Sequence, residues 1–286
     1  METNTKHGIG LALLAAALYA ISTPFSKLLL EYMPSTLMAG FLYIGAGLGM
    51  IILALFRKNK QEQHLTKSEV PFTVGMIVLD IAAPIFLLIG LSNTTAANAS
   101  LLNNFEIVAT ATIAFIVFKE NISLRLGLGI LSITISCILL SFEDISSLQF
   151  SYGSLFVLLA ACCWGLENNC TRKISSKDPL QIVLLKGFFS GIGSLIIGLC
   201  IGERITAIWS ILLVLFLGFI SYGLSIYFYV YAQRLLGASR TSAYYAITPF
   251  IGTFLSLLIF RTVPKIIYFV ALGFMLIGAW LSSKDN

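Results

Sequence analysis

Charged side chains are scarce in this 286-residue chain, at 11% of the total, while apolar residues reach 58% and mean hydropathy is +0.93. A soluble domain of this length needs no such apolar excess for one core, so that class is excluded. Histidine is rarer still: His7 and His64 are the only two, and both lie in polar flanks. Imidazole is thereby removed from chemistry inside the apolar part of the chain. The five cysteines, Cys137, Cys162, Cys163, Cys170 and Cys200, fall inside apolar runs without zinc-type spacing. They read as small core residues, neither a disulfide framework nor a metal set. No cofactor motif is present, and the net charge of +5 comes from junction lysines and arginines that give no reason to invoke nucleic acid.

What the chain does have is apolar length. Breaking it at charged or Pro/Gly-bearing junctions gives ten runs: 8–30, 34–56, 70–91, 95–118, 122–142, 152–173, 179–200, 208–232, 238–260 and 263–281. Each is long enough to cross a hydrocarbon core of about 30 Å as a helix, whereas barrel strands would be half that length and would alternate. The first run could pass for a leader peptide, but it continues to Leu30 and has an internal echo, so it reads as a span. The lipid bilayer is therefore the first partner. The expected fold is an all-α polytopic membrane protein with ten transmembrane helices.

The echo organises the chain. Gly8, Leu13, Leu14, Ala15, Ala16, Tyr19, Lys27 and Pro34 match Gly153, Leu158, Leu159, Ala160, Ala161, Trp164, Arg172 and Pro179, all 145 residues later. Further on, Ala96, Ser100 and Phe118-Lys119 match Ala238, Ser242 and Phe260-Arg261 at a spacing of 142. Two repeats of five spans follow, 8–142 and 151–282. Ser22 stands where Glu167 stands, and Glu106 lies opposite Thr248, so a shared scaffold carries different chemistry in each half.

Lysine and arginine placement sets the orientation. With a cytoplasmic N-terminus, the inside carries Lys6, Arg57, Lys58, Lys60, Lys67, Lys119, Arg125, Arg172, Lys173, Lys177, Arg234, Arg240 and Lys284, against Lys27, Arg204, Arg261 and Lys265 outside. Both termini are expected in the cytoplasm. Because each half has an odd number of spans, the halves insert in opposite directions, the inverted-repeat design of secondary transporters.

Against this apolar background the polar residues stand out. Trp164, Glu167, Asn168 and Thr171 follow i, i+3, i+4, i+7 spacing on one helical face, and so do Asn103, Glu106 and Thr110. An ionised side chain at mid-membrane costs roughly 2.5–3.5 kcal/mol even on lenient scales, so Asp80, Glu106, Glu167 and Lys186 each need a reason, and their faces should line a cavity. Lys186 lies about 10 Å into its span and Glu167 about 8 Å from the same surface, at 1.5 Å per residue. Equal depth on adjacent spans makes them expected partners. Asp80, one turn before Pro84, divides evenly between a functional carboxyl and repair of helix bonding at the proline. Tyr19, Tyr244 and Tyr245 divide between cavity lining and packing. The aromatic group of the 208–232 run, with Tyr222, Tyr227 and Tyr229, reads as interhelical packing at least as well as ligand surface.

With these residues in hand the chain resembles the ten-span drug/metabolite transporter superfamily with two EamA-like repeats. The resemblance runs from Gly8 to Leu281 and rests on the Tyr19 and Trp164 helices, on Asn98-Ala-Ser-Leu-Leu102 leading to Phe118-Lys-Glu120, and on Tyr222-Gly, Gly237-Ala238 and Ile247-Thr-Pro-Phe250. It implies two inverted five-helix bundles around a central cavity with spans five and ten outside it. Members commonly have proline after the position of Glu106, where this chain has Ile107, and glycine-glutamate where it has Arg261-Thr262. The expected function is proton-coupled export of a small cationic or zwitterionic metabolite. Tyr19, Asn103, Glu106, Trp164, Glu167, Asn168, Tyr244 and Tyr245 would bind it, with Asp80, Glu106, Glu167 and Lys186 as coupling or gating groups. Uptake by the same fold is the rival. A lipid-linked group transferase would need a convergent His/Asp cluster or metal set and a substantial outer loop, which the sequence lacks.

Overall fold

The computed structural model describes residues 2–56, 63, 65–119, 122–144, 149–236, 241 and 244–283. The basic junction at Arg57, Lys58 and Lys60, with His64, Glu120, Gly237, Ala238, Arg240, Ser242, Lys284 and Asn286, lies outside the described residues.

The first half contains α1 (Glu2–Ala20), α2 (Ser22–Leu29), α3 (Ser35–Phe56), α4 (Val70–Ser92), α5 (Ala96–Leu102), α6 (Phe105–Phe118) and α7 (Leu124–Ser141). A short antiparallel hairpin of β1 (Phe142–Asp144) and β2 (Gln149–Phe150) joins it to the second half. There follow α8 (Tyr152–Ile174), α9 (Pro179–Leu185), α10 (Gly191–Cys200), α11 (Ile208–Gly218), α12 (Ser225–Leu236), α13 (Thr248–Phe260) and α14 (Ile266–Ser283). Wide π-type turns at Lys186–Ser190 and Phe219–Leu224 join α9 to α10 and α11 to α12. Side chains start several helices: Thr95, Ser123, Ser151 and Asp178 accept from the backbone N–H of Asn98, Leu126, Ser154 and Leu180.

Seven helical segments are long and apolar enough to cross a membrane: Thr5–Leu29, Ser35–Phe56, Lys67–Ser92, Ala96–Val117, Leu124–Ser141, Pro179–Cys200 and Ile208–Ala232. Thr248–Phe260 and Ile266–Ser282 are apolar and shorter. α8 has the length, at 23 residues, but its second half holds Glu167, Asn168, Asn169, Arg172 and Lys173. The protein is thus a multi-pass, predominantly helical membrane protein.

The helices pack across the two halves. α4 lies along α8, α1 along α12, α5 along α13, α7 along α14, and α3 against both α10 and α11. Hydroxyls secure two of these seams: Ser132 and Ser136 on α7 donate to the carbonyls of Phe274 (2.7 Å) and Ala271 (2.6 Å), and Ser225 donates to that of Ala15 (2.8 Å). The alternating glycines of α3 serve close approach, as membrane helices require where no hydrophobic force drives helices together. A β-carbon at Gly45 would fall 2.1 Å from the Leu215 carbonyl oxygen. At Gly187 it would fall 2.5 Å from the Gly47 nitrogen and 2.9 Å from the Tyr43 carbonyl oxygen.

This Gly47/Gly187 crossing places Tyr43 beside Lys186, so packing here bears on the site. Gly187→Ala should lower stability in detergent by about 1–3 kcal/mol, since backbone must move to admit the methyl. Gly10→Ala, where a β-carbon meets nothing within 4 Å, is the control. Thermal unfolding of both variants checks this; equal melting temperatures would show that the crossing tolerates the extra atom.

Candidate functional site

Between the halves lies a cavity of about 100 Å³. It is lined by Tyr19, Tyr43, Asp80, Glu106, Trp164, Glu167, Asn168, Thr171, Lys186, Tyr222, Ile226, Tyr229, Val230 and Tyr245. Neither α7 nor α14 contributes a lining residue.

Lys186 stands at its centre of charge. Its Nζ lies 2.5 Å from Glu167 Oε1 and 3.0 Å from Asp80 Oδ2, and all three side chains are buried. The second contact is an ion pair without hydrogen-bond alignment, which is why Asp80 Oδ2 has no hydrogen-bond donor of its own. Asp80 Oδ1 instead accepts from the Tyr43 hydroxyl at 2.7 Å. The Thr171 hydroxyl, one turn on from Glu167, donates to the same Glu167 Oε1 that meets the lysine. Three spans are thereby tied through one ammonium, and Lys186 opens the wide turn between α9 and α10. An extra residue in a turn re-aims the side chains around it, and such turns recur at functional sites.

Glu106 forms the second focus. Asn168 Nδ2 donates to its Oε1 at 2.5 Å and reaches Thr110 Oγ1 at 3.5 Å. Asn169, on the adjoining face of α8, bonds the carbonyls of Gly165 (2.8 Å) and Thr110 (3.3 Å). α6 can lie this close because a β-carbon at Gly165 would fall 2.5 Å from that of Ala109. Aromatic rings complete the walls: Tyr19 is edge-on to Trp164 (6.4 Å) and Tyr222 (5.6 Å), and Tyr245 lies 6.1 Å from Tyr19 and 4.8 Å from Tyr229.

The structure gathers Tyr19, Asp80, Glu106, Trp164, Glu167, Asn168, Lys186 and Tyr245 on this cavity. Two expected residues are not there. Asn103 is buried but does not line the cavity, and its Oδ1 has no partner. The face it was expected to share with Glu106 and Thr110 assumed a continuous helix. The helix instead breaks at Asn103–Asn104, between α5 and α6, which resets the angular relation across the break. Tyr244 is 36% exposed and points elsewhere, while its neighbour Tyr245 enters the cavity.

Tyr43 and Tyr222 were not singled out as site residues. For Tyr43 a signal existed: it is a polar-tipped ring midway along an apolar run, at a depth comparable to that of Asp80 on the next span. Tyr222 gave less, since its place depends on the Phe219–Leu224 turn, which no periodicity reveals.

Comparison with known proteins gives this geometry a family. Residues 6–142 and 151–284 each match the EamA-like transporter family. The chain belongs to that family. This EamA-like transporter is also 26% identical to an uncharacterized transporter of Methanothermobacter thermautotrophicus, over 93% of this chain and 83% of that protein. It is 22% identical to the uncharacterized transporter YyaM of Bacillus subtilis, over 72% of this chain and 71% of that one. A solved structure aligns with a TM-score of 0.65 at 17% identity, covering 98% of this chain and 95% of that chain, and shows the fold alone. The cavity described above thus belongs to a membrane transporter.

Proposed function

We propose that this transporter exports a small cationic or zwitterionic metabolite from the cytoplasm across the plasma membrane in exchange for protons, by alternating access around the central cavity. The observation that carries the reading is the convergence of Asp80, Glu106 and Glu167, from three different helices, on one cavity with Lys186. With these four groups ionised their net charge is −2. Buried charge is tolerated only when compensated. Protons can supply the compensation, and so can a cationic substrate; a site that accepts one at the expense of the other couples their movements in opposite directions.

In this reading the chain has ten spans in two inverted repeats, 8–142 and 151–282, with both termini cytoplasmic. The packing supports the two-repeat part of this reading. Numbering the spans in order, the contacts of span three with six and of span eight with one exchange when five is added to each. The pairs four with nine, five with ten and two with seven map onto themselves. A two-fold relation between halves produces such a pattern.

Packing and hydrogen bonds between helix ends gather at one end of the protein, and they support alternating access. Leu37, Leu87, Leu88, Leu91 and Leu101 form part of a continuous apolar core. Beyond them Lys27 donates to the carbonyls of Leu91 (2.5 Å) and Ser92 (3.3 Å), at the C-terminal end of α4. Glu203 accepts from the N–H groups of Thr36 (3.2 Å) and Leu37 (2.8 Å) at the start of α3. Each charge sits on the favourable end of a helix dipole. This is the outer end in the proposed orientation.

Two measurements test the proposal. Cysteines placed at Lys67 and Arg204 in a background without native cysteines should react with impermeant reagent only from the cytoplasm and only from outside, respectively. Labelling of both from one side would sink the inverted arrangement. In proteoliposomes, counterflow against amino acids, amines, nucleosides and quaternary ammonium ions should find a substrate whose flux follows an imposed pH gradient. Flux indifferent to that gradient would leave a carrier without proton coupling.

A further inference from the structure

Resting on the transport reading above, we infer that the substrate is a short aliphatic diamine without a carboxylate, held by two separate negative foci in the cavity. The first focus is Glu106, whose one described side-chain donor is the neutral amide of Asn168. The second is the Asp80–Lys186–Glu167 group, two carboxylates sharing one ammonium, with a net charge of −1. Among the described residues no other lysine or arginine lines the cavity.

The separation of the foci follows from α8. Glu167 and Asn168 are consecutive, so their side chains point about 100° apart, and side-chain ends on a helix about 11 Å across are then about 8 Å from one another. Asn168 carries Glu106 and Glu167 carries Lys186, so the two foci lie side by side across the cavity. A chain with an ammonium at each end spans such a gap. The rings of Tyr19, Trp164 and Tyr245, which line the same cavity, offer apolar contact to methylene groups and quadrupole attraction to charged ends.

The same charges argue against an amino acid. A substrate carboxylate needs a cation, and Lys186 already faces two acids at 3.0 Å and 2.5 Å. Entering the cavity would set a third carboxylate beside them, and a buried ionic group left without its partner is rejected far more strongly than a misfitting apolar one.

The test is counterflow in proteoliposomes with five probes: putrescine, cadaverine, ornithine, lysine and tetramethylammonium. Ornithine and lysine are the two diamines with a carboxylate added, so each pair isolates one group. The expected result is that putrescine or cadaverine exchanges at least about tenfold faster than its amino-acid counterpart. Equal or faster exchange of ornithine or lysine would overturn the diamine assignment and leave the broader carrier of cationic or zwitterionic metabolites standing. Tetramethylammonium exchanging as well as putrescine would overturn the two-focus geometry. Failure of all five would count against the broader reading as well. Asp80→Asn should lower the preference for putrescine over tetramethylammonium by about tenfold, because the second focus becomes a neutral pair. Glu167→Gln removes the same charge from the other side of Lys186 and should shift the preference in the same direction. Unchanged preference in both variants would show that the second ammonium binds elsewhere.

Discussion

Replacing Lys186 with methionine should reduce the folded yield and abolish transport. Among the described residues its ammonium is the cation that meets both Asp80 and Glu167. Without it two carboxylates face each other in a buried space, and breaking a buried ion pair by removing one partner typically costs about 3–5 kcal/mol. Protonation of the acids would relieve part of the repulsion, but a protonated pair no longer offers the negative focus the cavity presents. Adding Glu167→Gln to Lys186→Met should recover yield more than flux, since one acid remains and keeps its hydrogen bond from Tyr43. The double-mutant cycle on detergent stability should show coupling of about 0.5–3 kcal/mol. Additive single effects would mean that the contact contributes nothing specific.

Glu106→Gln should separate exchange from coupling. The amide keeps the size of the side chain and can still accept from Asn168, so the α6–α8 contact persists. What disappears is the group that titrates. Gradient-driven flux should therefore fall to the level seen without a gradient, while substrate-for-substrate exchange continues at a reduced rate. Full gradient-driven flux in this variant would make Glu106 a structural carboxyl and move the coupling role to Asp80 or Glu167.

Much of this site was legible in the sequence because charge is so costly in hydrocarbon. Asp80, Glu106, Glu167 and Lys186 stand out without any structure, and equal depth on adjacent spans pointed to the Glu167–Lys186 contact observed at 2.5 Å. The i, i+3, i+4, i+7 face of α8 holds because α8 is one unbroken helix of 23 residues. Where helices break or widen, periodicity fails. Asn103 leaves the expected face because the chain turns at Asn103–Asn104, and Tyr222 depends on a wide turn whose extra residue has no compositional mark. Tyr43 was hidden differently, as an aromatic ring in an apolar run whose role exists only through Asp80 on another span. The same costliness explains why α8 falls short of a hydropathy criterion for a membrane span: the residues that build the cavity are the ones that lower its hydropathy.

The central claim is that protons and substrate compensate the same buried carboxyls. It is tested most directly by measuring proton release when the purified transporter, in weakly buffered detergent solution, binds the solute that counterflow selects. The account predicts that binding releases protons from the wild-type protein and that the release is lost or sharply reduced in Glu106→Gln. Saturable binding of that solute to the wild-type protein with no proton release would contradict it.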